Sequence, residues 1–217
     1  MNDLPEPLEP ETPIIMIIGV SGSSGSGKSF IVHYIKKKLP KNTVSIIFQD
    51  NYYKLREDQS KDKNENYNFD LPSSFHNNDF INDIKSLKAG NTIRRKEYNF
   101  NNPLVKPKFI TVKHRPLIIV EGLFIFNDKK ISENFDRKIF IDCEIKKMIK
   151  RRIKRDSEQR GYDKADVLYK YENHVLPSYK KFILPFKKEA DIIIDNNEDD
   201  NTGASKSLEF IKNLISD

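Results

Sequence analysis

The hydrophobic residues of the chain fall into short, continuous runs that are separated by longer segments with helical periodicity. The runs are rich in Ile and Val and do not alternate with polar residues, which is typical of strands buried on both faces of a parallel sheet. The alternation of such runs with helical segments predicts a three-layer α/β fold with a central, mostly parallel sheet. The predicted strands cover residues 14–20, 43–48, 117–120, 138–141 and 192–194, and the predicted helices cover about 27–39, 79–87, 145–159, 165–176 and 205–215.

Three segments depart from this alternation. Residues 91–113 contain two β-patterned stretches, "NTIRRKEYNF" and "KFITVKH", around a Pro-containing turn, and they predict a β-hairpin inserted outside the main sheet. Residues 54–68 are rich in Lys, Asp and Asn and predict a mobile loop. The acidic, Pro-rich residues 1–13 predict a disordered tail, and 14–217 are then most simply one domain.

Composition narrows the class of protein. The formal net charge of +6 fits either a nucleic-acid footprint or affinity for small phosphorylated ligands. The single cysteine, Cys143, excludes an intrachain disulfide and fits a reducing cytoplasm. The N-terminus is the reverse of a basic, apolar leader, and no apolar run approaches the roughly 20 residues of a membrane span. We therefore expect a cytoplasmic protein that does not associate with membranes.

A glycine-rich stretch between the first strand and the first helix predicts a phosphate site. Gly22-x4-Gly27-Lys28-Ser29 has the spacing of a P-loop, whose glycines turn backbone N–H groups toward one anion while the helix adds its positive end. A Gly/Ser linker is the alternative, but a linker does not need a lysine and a serine at fixed positions. The predicted ATP-binding residues are Gly22, Ser23, Ser24, Gly25, Ser26, Gly27, Lys28 and Ser29, of which Lys28 would contact the β- and γ-phosphates and Ser29 would ligate Mg²⁺.

Two acidic residues stand at the carboxyl ends of predicted strands. Ligands of such folds gather beyond these ends. Asp50, in "FQDNYYK", could accept the proton of an attacking hydroxyl or help to hold the metal, although an Asp here could also simply form a turn. Glu121, in "PLIIVEG", is predicted to hold the magnesium shell, because a buried carboxylate without a partner would be costly.

The segment "IKKMIKRRIKRDSEQRG" predicts a strongly basic helix, with eight Lys and Arg residues between positions 146 and 160. A solvated basic face or a nucleic-acid contact is one interpretation. The other is a lid, at about 146–165, that brings arginines onto a transferring phosphoryl group. Arg152 and Arg155 would be neighbours on one face, and Gly161 is a predicted hinge or cap after Arg160. The stripe predicted to face the core consists of Ile145, Met148, Ile149 and Ile153.

Taken together, these motifs resemble the uridine kinase (uridine–cytidine kinase) family of P-loop kinases. The resemblance covers residues 14 to about 195, with the motifs in the family's order and at its spacings. The motifs that carry it are the P-loop, "FQDNYYK", "NFDLPSSF", the Tyr-x-Phe of Tyr98 and Phe100, "IIVEGLFIF", "RRIKRD-x3-RG" and "LPFKKEADIII".

The resemblance implies a P-loop NTPase fold and Mg²⁺-dependent transfer of a phosphoryl group from ATP, or GTP, to the 5′-hydroxyl of uridine or cytidine, giving UMP or CMP in pyrimidine salvage. It implies that Asp50 is the base, that Asp70 holds the ribose hydroxyls, and that the inserted hairpin serves the nucleoside. It also implies a homo-oligomer, typically a tetramer. Of the remaining positions, Arg155 and Arg160 would clamp phosphates, Arg152 would face the substrate, and Tyr53, Tyr98 and Phe100 would wall the base.

Three positions depart from the family's usual pattern, all on the nucleoside side. Pro103 replaces a histidine that contacts the pyrimidine edge, Tyr162 replaces an arginine, and Lys170 replaces a glutamine. A phosphoribulokinase-like kinase with another hydroxyl acceptor therefore stays an alternative, as does a nucleotide-binding regulator without catalysis. A GTP switch would need a base-reading "NKxD", which the sequence lacks. We expect no specific nucleic-acid partner, since no recognition-helix or stacking motif accompanies the basic helix.

Overall fold

A five-stranded parallel sheet forms the centre of the computed structural model, which describes residues 15–100 and 106–216. Its strands are β1 (Met16–Gly22), β2 (Val44–Phe48), β5 (Leu117–Glu121), β6 (Arg137–Asp142) and β7 (Ile192–Asp195), in the order β2-β5-β1-β6-β7. A separate antiparallel pair consists of β3 (Ile93–Lys96) and β4 (Phe109–Val112). The parallel sheet confirms the predicted fold class, and all five predicted core strands are present.

The helices cover both faces of the sheet. They are α1 (Lys28–Lys38), α2 (Asn77–Lys88), α3 (Lys129–Ser132), α4 (Ile145–Arg160), α5 (Lys164–Lys170), α6 (Leu176–Ser178) and α7 (Thr202–Ser216). One apolar cluster packs α1 and α7 against the sheet, and a second lies on the other face with α2 and residues 123–126. The strands are buried because both faces are covered, which explains their continuous rather than alternating hydrophobic pattern.

The strand register places the candidate residues at one edge of the sheet. Glu121 lies opposite Val20 of β1 and opposite Phe48 of β2. The carboxyl ends of β2 and β5 are therefore level, and β1 continues from Val20 to Gly22 at the same edge of the sheet. The glycine-rich loop and Asp50 reach the same edge for this reason.

The predicted helix at 165–176 is longer than expected. Helical turns continue from α5 through Pro177 to Glu189, with wide i→i+5 turns at Tyr171–Val175 and Tyr179–Ile183 and 3₁₀ turns at Leu184–Glu189. Proline lacks an N–H and its ring clashes with the carbonyl four residues earlier in a regular α-helix. The wide turns on both sides of α6 relax that spacing, so Pro177 does not end the segment where the sequence suggested.

The hairpin at β3 and β4 is fastened to α2. Nε and a terminal nitrogen of Arg95 donate to Oδ2 of Asp83 at 2.9 and 2.7 Å, and the hydroxyl of Tyr52 donates to the same oxygen at 2.6 Å. These bonds fix the hairpin beside the turn that carries Asp50. The predicted tail at 1–13 and Pro103 lie outside the described residues.

The segment 54–68, predicted as a mobile loop, has internal order. It contains a 3₁₀ turn at Arg56–Asp58 and an isolated bridge between Lys61 and Tyr67. The buried Gln59 donates from Nε2 to the carbonyl oxygens of Lys54 and Ser74, at 3.0 and 3.2 Å. Composition alone does not reveal such bonds, since they depend on where single polar side chains point.

Within residues 15–100 and 106–216, no helix has the length and apolar character needed to cross a lipid bilayer.

Candidate active site

The glycine-rich loop has a backbone that only glycine adopts easily. Gly25 and Gly27 have φ angles of +84° and +99°. A Cβ at Gly25 would collide with the carbonyl oxygen of Met148, and one at Gly27 would collide with Nδ2 of Asn196. Asn196 also donates from Nδ2 to the carbonyl oxygen of Ser26 at 2.7 Å. The loop is therefore held from outside by α4 and by the residue that follows β7.

Lys28, Ser29 and Glu121 meet at the start of α1. Ser29 Oγ donates to Glu121 Oε2 at 3.0 Å, and Lys28 Nζ lies 3.8 Å from Glu121 Oε1. Nζ also donates to the carbonyl oxygen of Ser23 at 3.1 Å. Burial lowers the pKa of Lys28, against the opposing charges of Glu121 and Asp50. Burial raises the pKa of Glu121 to about 7, against the opposing effect of Lys28.

Asp50 lies on the 3₁₀ turn Gln49–Tyr52 that follows β2. Gln49 is buried, and its Oε1 accepts from the backbone N–H of Phe124 at 3.1 Å, which fixes the turn to the segment after β5. The charge of Asp50 contributes to the raised pKa of Glu121, and it opposes the lowering of the pKa of Lys28 by burial. Asp50 is therefore part of one electrostatic unit with the glycine-rich loop.

The residues at this edge fit a magnesium ion that is shared with phosphates. Ser29 and Glu121 offer oxygen ligands, which Mg²⁺ prefers. Burial raises the pKa of Glu121, and a bound cation would stabilise the ionised form of this carboxyl group. Among the described residues, no cluster of three or more His, Cys, Asp or Glu side chains could hold a metal alone.

A cavity of about 1260 Å³ joins the phosphate-binding loop to the predicted nucleoside residues. Gly22, Ser23 and Ser26 do not line it. The other predicted site residues do line it, namely Ser24, Gly25, Gly27, Lys28, Ser29, Asp50, Tyr53, Asp70, Tyr98, Phe100, Glu121, Arg152, Arg155 and Arg160.

The α4 face that points inward is charged, which corrects the predicted apolar stripe. Ile145 is 41% exposed and Ile149 and Ile153 are only partly buried, whereas Met148, Arg152 and Asp156 are buried. These last three are spaced i, i+4 and share one face. Met148 is buried as predicted. The other three residues were predicted wrongly, because the prediction assumed that only apolar residues face inward, while α4 borders a polar cavity.

Asp156 forms ion pairs with three arginines. Its carboxylate lies 3.2 Å from Nε of Arg152, 2.8 Å from Nε of Arg155 and 3.4 Å from a terminal nitrogen of Arg160. Burial acts to raise the pKa of Asp156, but the hydrogen bond and charge of Arg155, with the charges of Arg152 and Arg160, lower it. Asp156 thus fixes the directions of the arginines. Gly161 ends α4 as a cap, with φ +69° and its N–H donating to the carbonyl oxygen of Asp156.

Arg152 also links α4 to Asp70. A terminal nitrogen of Arg152 donates to Ser24 Oγ at 3.1 Å and lies 3.5 Å from Asp70 Oδ1. Both Arg152 and Asp70 are buried. The pair therefore connects the glycine-rich loop to the part of the cavity around Asp70, which we call the far half.

Aromatic rings form one wall of the far half. The ring of Tyr53 lies 4.1 Å from that of Phe75, 5.1 Å from that of Tyr98 and 5.7 Å from that of Phe100. The guanidinium of Arg160 lies 3.7 Å from the centre of the Phe100 ring. The backbone N–H of Tyr98 donates to Oδ1 of Asn51 at 3.1 Å, which ties the wall to the turn carrying Asp50.

Tyr162 and Lys170, two of the positions that depart from the family's usual pattern, contact each other in the cavity. Lys170 Nζ lies 4.2 Å from the centre of the Tyr162 ring and 2.8 Å from Asp166 Oδ2. All three line the cavity. Position 103 lies outside the described residues, so its place relative to them stays a prediction.

Two important residues were missed from sequence. Asp156 lies within the basic motif, in which only arginines were predicted to be functional. Asn196 directly follows the last core strand. An acid amid several arginines and a polar residue at a strand's carboxyl end were signals that could have identified them.

Comparisons with known proteins place the chain among kinases of one family. Residues 17–203 match the family model described as "Phosphoribulokinase / Uridine kinase family". A uridine kinase of Macrococcus caseolyticus is 35% identical over 92% of this chain and 97% of its own. One of Staphylococcus haemolyticus is 33% identical over 92% and 97%.

Solved structures share the fold. A possible uridine kinase from Bacillus stearothermophilus has a TM-score of 0.62 at 17% identity, over 86% of this chain and 91% of its own. Phosphoribulokinase from Rhodobacter spheroides has a TM-score of 0.61 at 18% identity, over 85% and 71%. At this identity the structures support the fold alone.

Proposed function

The chain belongs to the phosphoribulokinase/uridine kinase family of kinases, and from that premise we propose that it phosphorylates a pyrimidine nucleoside. The reaction transfers the γ-phosphoryl group of ATP to the 5′-hydroxyl of uridine or cytidine, giving UMP or CMP and ADP in pyrimidine salvage. The observation that carries the proposal is the shared cavity, in which Asp50 lies between the phosphate loop and a pocket of Asp70 with aromatic rings.

At the phosphate end, backbone N–H groups of the glycine-rich loop and Lys28 would bind the β- and γ-phosphates. Ser29 and Glu121, with Asp50 beside them, would hold Mg²⁺ together with the nucleotide. The ion would supply neutralising charge to the phosphates as negative charge develops on the leaving oxygen. Phosphoryl transfer needs little covalent chemistry from the protein, so positioning and charge account for most of the expected rate enhancement.

Asp50 would accept the proton of the nucleoside 5′-hydroxyl. A general base must lie within hydrogen-bond reach of that proton, and a strand-end carboxylate beside the phosphate loop can meet the condition. Arg155 and Arg160 would donate to the transferring phosphoryl group. Asp156 binds both arginines, so they lose little freedom when the phosphate arrives.

Asp70 would accept hydrogen bonds from the ribose hydroxyls, because an ionised carboxylate can accept from two vicinal donors. Arg152 is paired with Asp70 and would orient it. Tyr53, Tyr98 and Phe100 would pack against the faces of the base, where aromatic contact tolerates either pyrimidine.

The charges at the acceptor end favour a neutral acceptor over a sugar phosphate. Arg152 already has Asp70 and Asp156 as partners, and Lys170 has Asp166. A second phosphate on the acceptor would have to compete with these carboxylates for the same cations. This supports a nucleoside rather than a phosphoribulokinase-like acceptor.

The test is ADP release over a panel of uridine, cytidine, adenosine, free ribose and a pentose 5-phosphate, each with ATP and Mg²⁺. We expect turnover with uridine and cytidine. Lys28→Ala should abolish it, and Lys37→Ala, on the exposed side of α1, should not. Turnover with the pentose phosphate alone would show that the acceptor is a sugar phosphate and not a nucleoside. The absence of turnover with every acceptor would favour a nucleotide-binding regulator.

Two finer properties complete the proposal. A cytoplasmic setting is supported by the single cysteine, Cys143, which is buried and free. We also propose that the chain forms a homo-oligomer, with a tetramer as the expected form. Light scattering after size-exclusion chromatography measures the mass of that oligomer.

A further inference from the structure

A buried histidine fastens the segment 54–68 to the helical segment after α4. Nε2 of His174 lies 2.8 Å from Oδ2 of Asp62, and the hydroxyl of Tyr169 donates to the same oxygen at 2.8 Å. Asn64 Nδ2 donates to the hydroxyl of Tyr169 at 2.6 Å. The side chain of His174 is only 1% exposed. Residues more than 100 positions apart in sequence are thus joined by one carboxylate.

The other oxygen of Asp62 shapes its own loop. Oδ1 accepts from the backbone N–H groups of Asn64 and Asn66, at 2.8 and 2.9 Å. Desolvation acts to raise the pKa of Asp62, but hydrogen bonds from His174, Tyr169 and these backbone groups outweigh it and lower the pKa. An ionised carboxylate can only accept, so Nε2 of His174 is the donor. We call Asp62, Tyr169 and His174 the Asp62 latch.

The latch connects to a residue of the acceptor pocket through a short chain of hydrogen bonds. After the turn at Asp62, the backbone N–H of Asn68 donates to the carbonyl oxygen of Ser60 at 2.7 Å. Oδ1 of Asn68 then accepts from the backbone N–H of Asp70 at 2.9 Å. The position of Asp70 therefore depends on the loop that the latch holds.

The latch also joins two walls of the cavity. On the loop side the cavity is lined by Tyr67 and Asp70, and on the helix side by Lys170 and His174. His174 lies in the wide-turn segment Tyr171–Val175, and such turns are frequent at functional sites. The latch therefore joins the loop side of the cavity to its helix side through polar contacts.

We propose that Asp62, Tyr169 and His174 are positioning residues that hold the loop at 54–70 against the helical segment and so fix Asp70 for acceptor binding. The inference rests on the proposed function for the identity of the acceptor, and not for the contact itself. The latch acts through Asp70 and the loop and makes no contact with the phosphate end.

The test measures steady-state kinetics and backbone hydrogen exchange on the full chain. Asp62→Asn and His174→Phe should each raise KM for the acceptor on the order of tenfold, the effect of losing a hydrogen bond to a charged group. KM for ATP should stay unchanged, and amides of residues 61–67 should exchange faster. His174→Gln, which can still donate to Asp62, should recover much of the acceptor KM. Asp58→Asn and Glu172→Gln are matched controls, exposed in the same loop and the same wide turn.

Three outcomes decide the matter. Unchanged acceptor KM in Asp62→Asn and His174→Phe, or equal rises in KM for ATP and acceptor, would overturn the proposal. Equal kinetic losses in His174→Gln and His174→Phe would also count against it. If His174→Phe does not fold, Tyr169→Phe and His174→Gln still test the contact. Should uridine and cytidine fail as acceptors, the proposed function fails by itself, while faster exchange at 61–67 in Asp62→Asn would still support the latch.

Discussion

The phosphate end and the acceptor end of the cavity are built in different ways. At the phosphate end, Lys28, Ser29 and Glu121 belong to a contiguous loop and a core strand, and they touch one another directly. At the acceptor end, separate segments contribute side chains that ion pairs and ring contacts hold together. The phosphate end is fixed by the sheet and the start of α1, and the acceptor end by ion pairs, hydrogen bonds and ring contacts between separate segments. Changes at the phosphate end should therefore remove chemistry, while changes at the acceptor end should alter which acceptor binds and how well.

After Lys28→Ala, which should abolish turnover, the largest effect is expected from Asp50→Asn. Loss of a general base costs about 10²–10⁴-fold in rate, so kcat should fall by at least about 100-fold while ATP still binds. The measurement is kcat under saturating substrates together with ATP binding by calorimetry. Asp58→Asn, the same change on an exposed residue nearby, should have no effect. A rate close to wild type in Asp50→Asn would remove Asp50 from the role of base.

Arg155→Ala and Arg160→Ala should come next. Removal of one donor to a developing charge typically costs on the order of 10²–10³ in rate, so each should lower kcat more than it raises KM for the nucleoside. Lys154→Ala is the matched control, since that side chain lies exposed on the same helix. If either arginine variant changes only the nucleoside KM, that arginine belongs to the acceptor end instead.

The two ends also differ in how well the sequence predicted them. Gly22 to Ser29 could be predicted because the chemistry depends on the spacing within one contiguous motif. Asp50 and Glu121 could be predicted because each follows or ends a continuous apolar run, which marks the carboxyl end of a buried strand. Asn196 and the Asp62 latch were not predicted, since their contacts join residues that are distant in sequence. The ion-pair partners of Asp156 lie within four residues of it, so local spacing could have identified that residue. The inward face of α4 was predicted correctly only at Met148, because a helix pattern does not tell whether the neighbouring space is apolar core or polar cavity.

Asp156→Asn should show how the arginines are held. Removing one partner of a buried ion pair leaves an uncompensated charge and typically costs about 3–5 kcal/mol. The free energy of unfolding of the variant should therefore be lower than that of wild type by an amount near that range. The pKa of Asp156 is lowered in the folded state from its ordinary value of 3.8. Its contribution is therefore present above pH 3.8 and is lost as the pH falls through the lower folded value.

Urea unfolding at neutral and acidic pH measures this for Asp156→Asn. The gap between wild type and variant should be wide at neutral pH and narrow in acid. A gap that stays constant with pH would mean that the carboxylate charge is not what holds the arginines.

Asp70→Asn should have a smaller effect, confined to the acceptor. Hydrogen bonds to a charged group contribute about 1.5–3 kcal/mol, so kcat/KM for uridine should fall about ten- to a hundredfold while KM for ATP stays unchanged. The sharper readout is the ratio between uridine and 2′-deoxyuridine, which should be large in wild type and much reduced in the variant. If wild type uses both equally well, Asp70 does not hold the ribose hydroxyls.

The smallest effect is expected for the base itself. Tyr53, Tyr98 and Phe100 present ring faces, which respond weakly to the exchange of a carbonyl for an amino group. The resemblance to uridine kinases predicts a pyrimidine-reading histidine at position 103, where this sequence has a proline without a side-chain donor. A neutral hydrogen bond contributes about 0.5–1.5 kcal/mol, so kcat/KM for uridine and cytidine should differ by less than about tenfold. Pro103→His should widen that difference if position 103 faces the base, whereas an unchanged ratio would place discrimination elsewhere, with Lys170 and Tyr162 as the next residues to vary. A hundredfold preference in wild type would show that the acceptor end reads the base with polar groups, as the phosphate end reads phosphate.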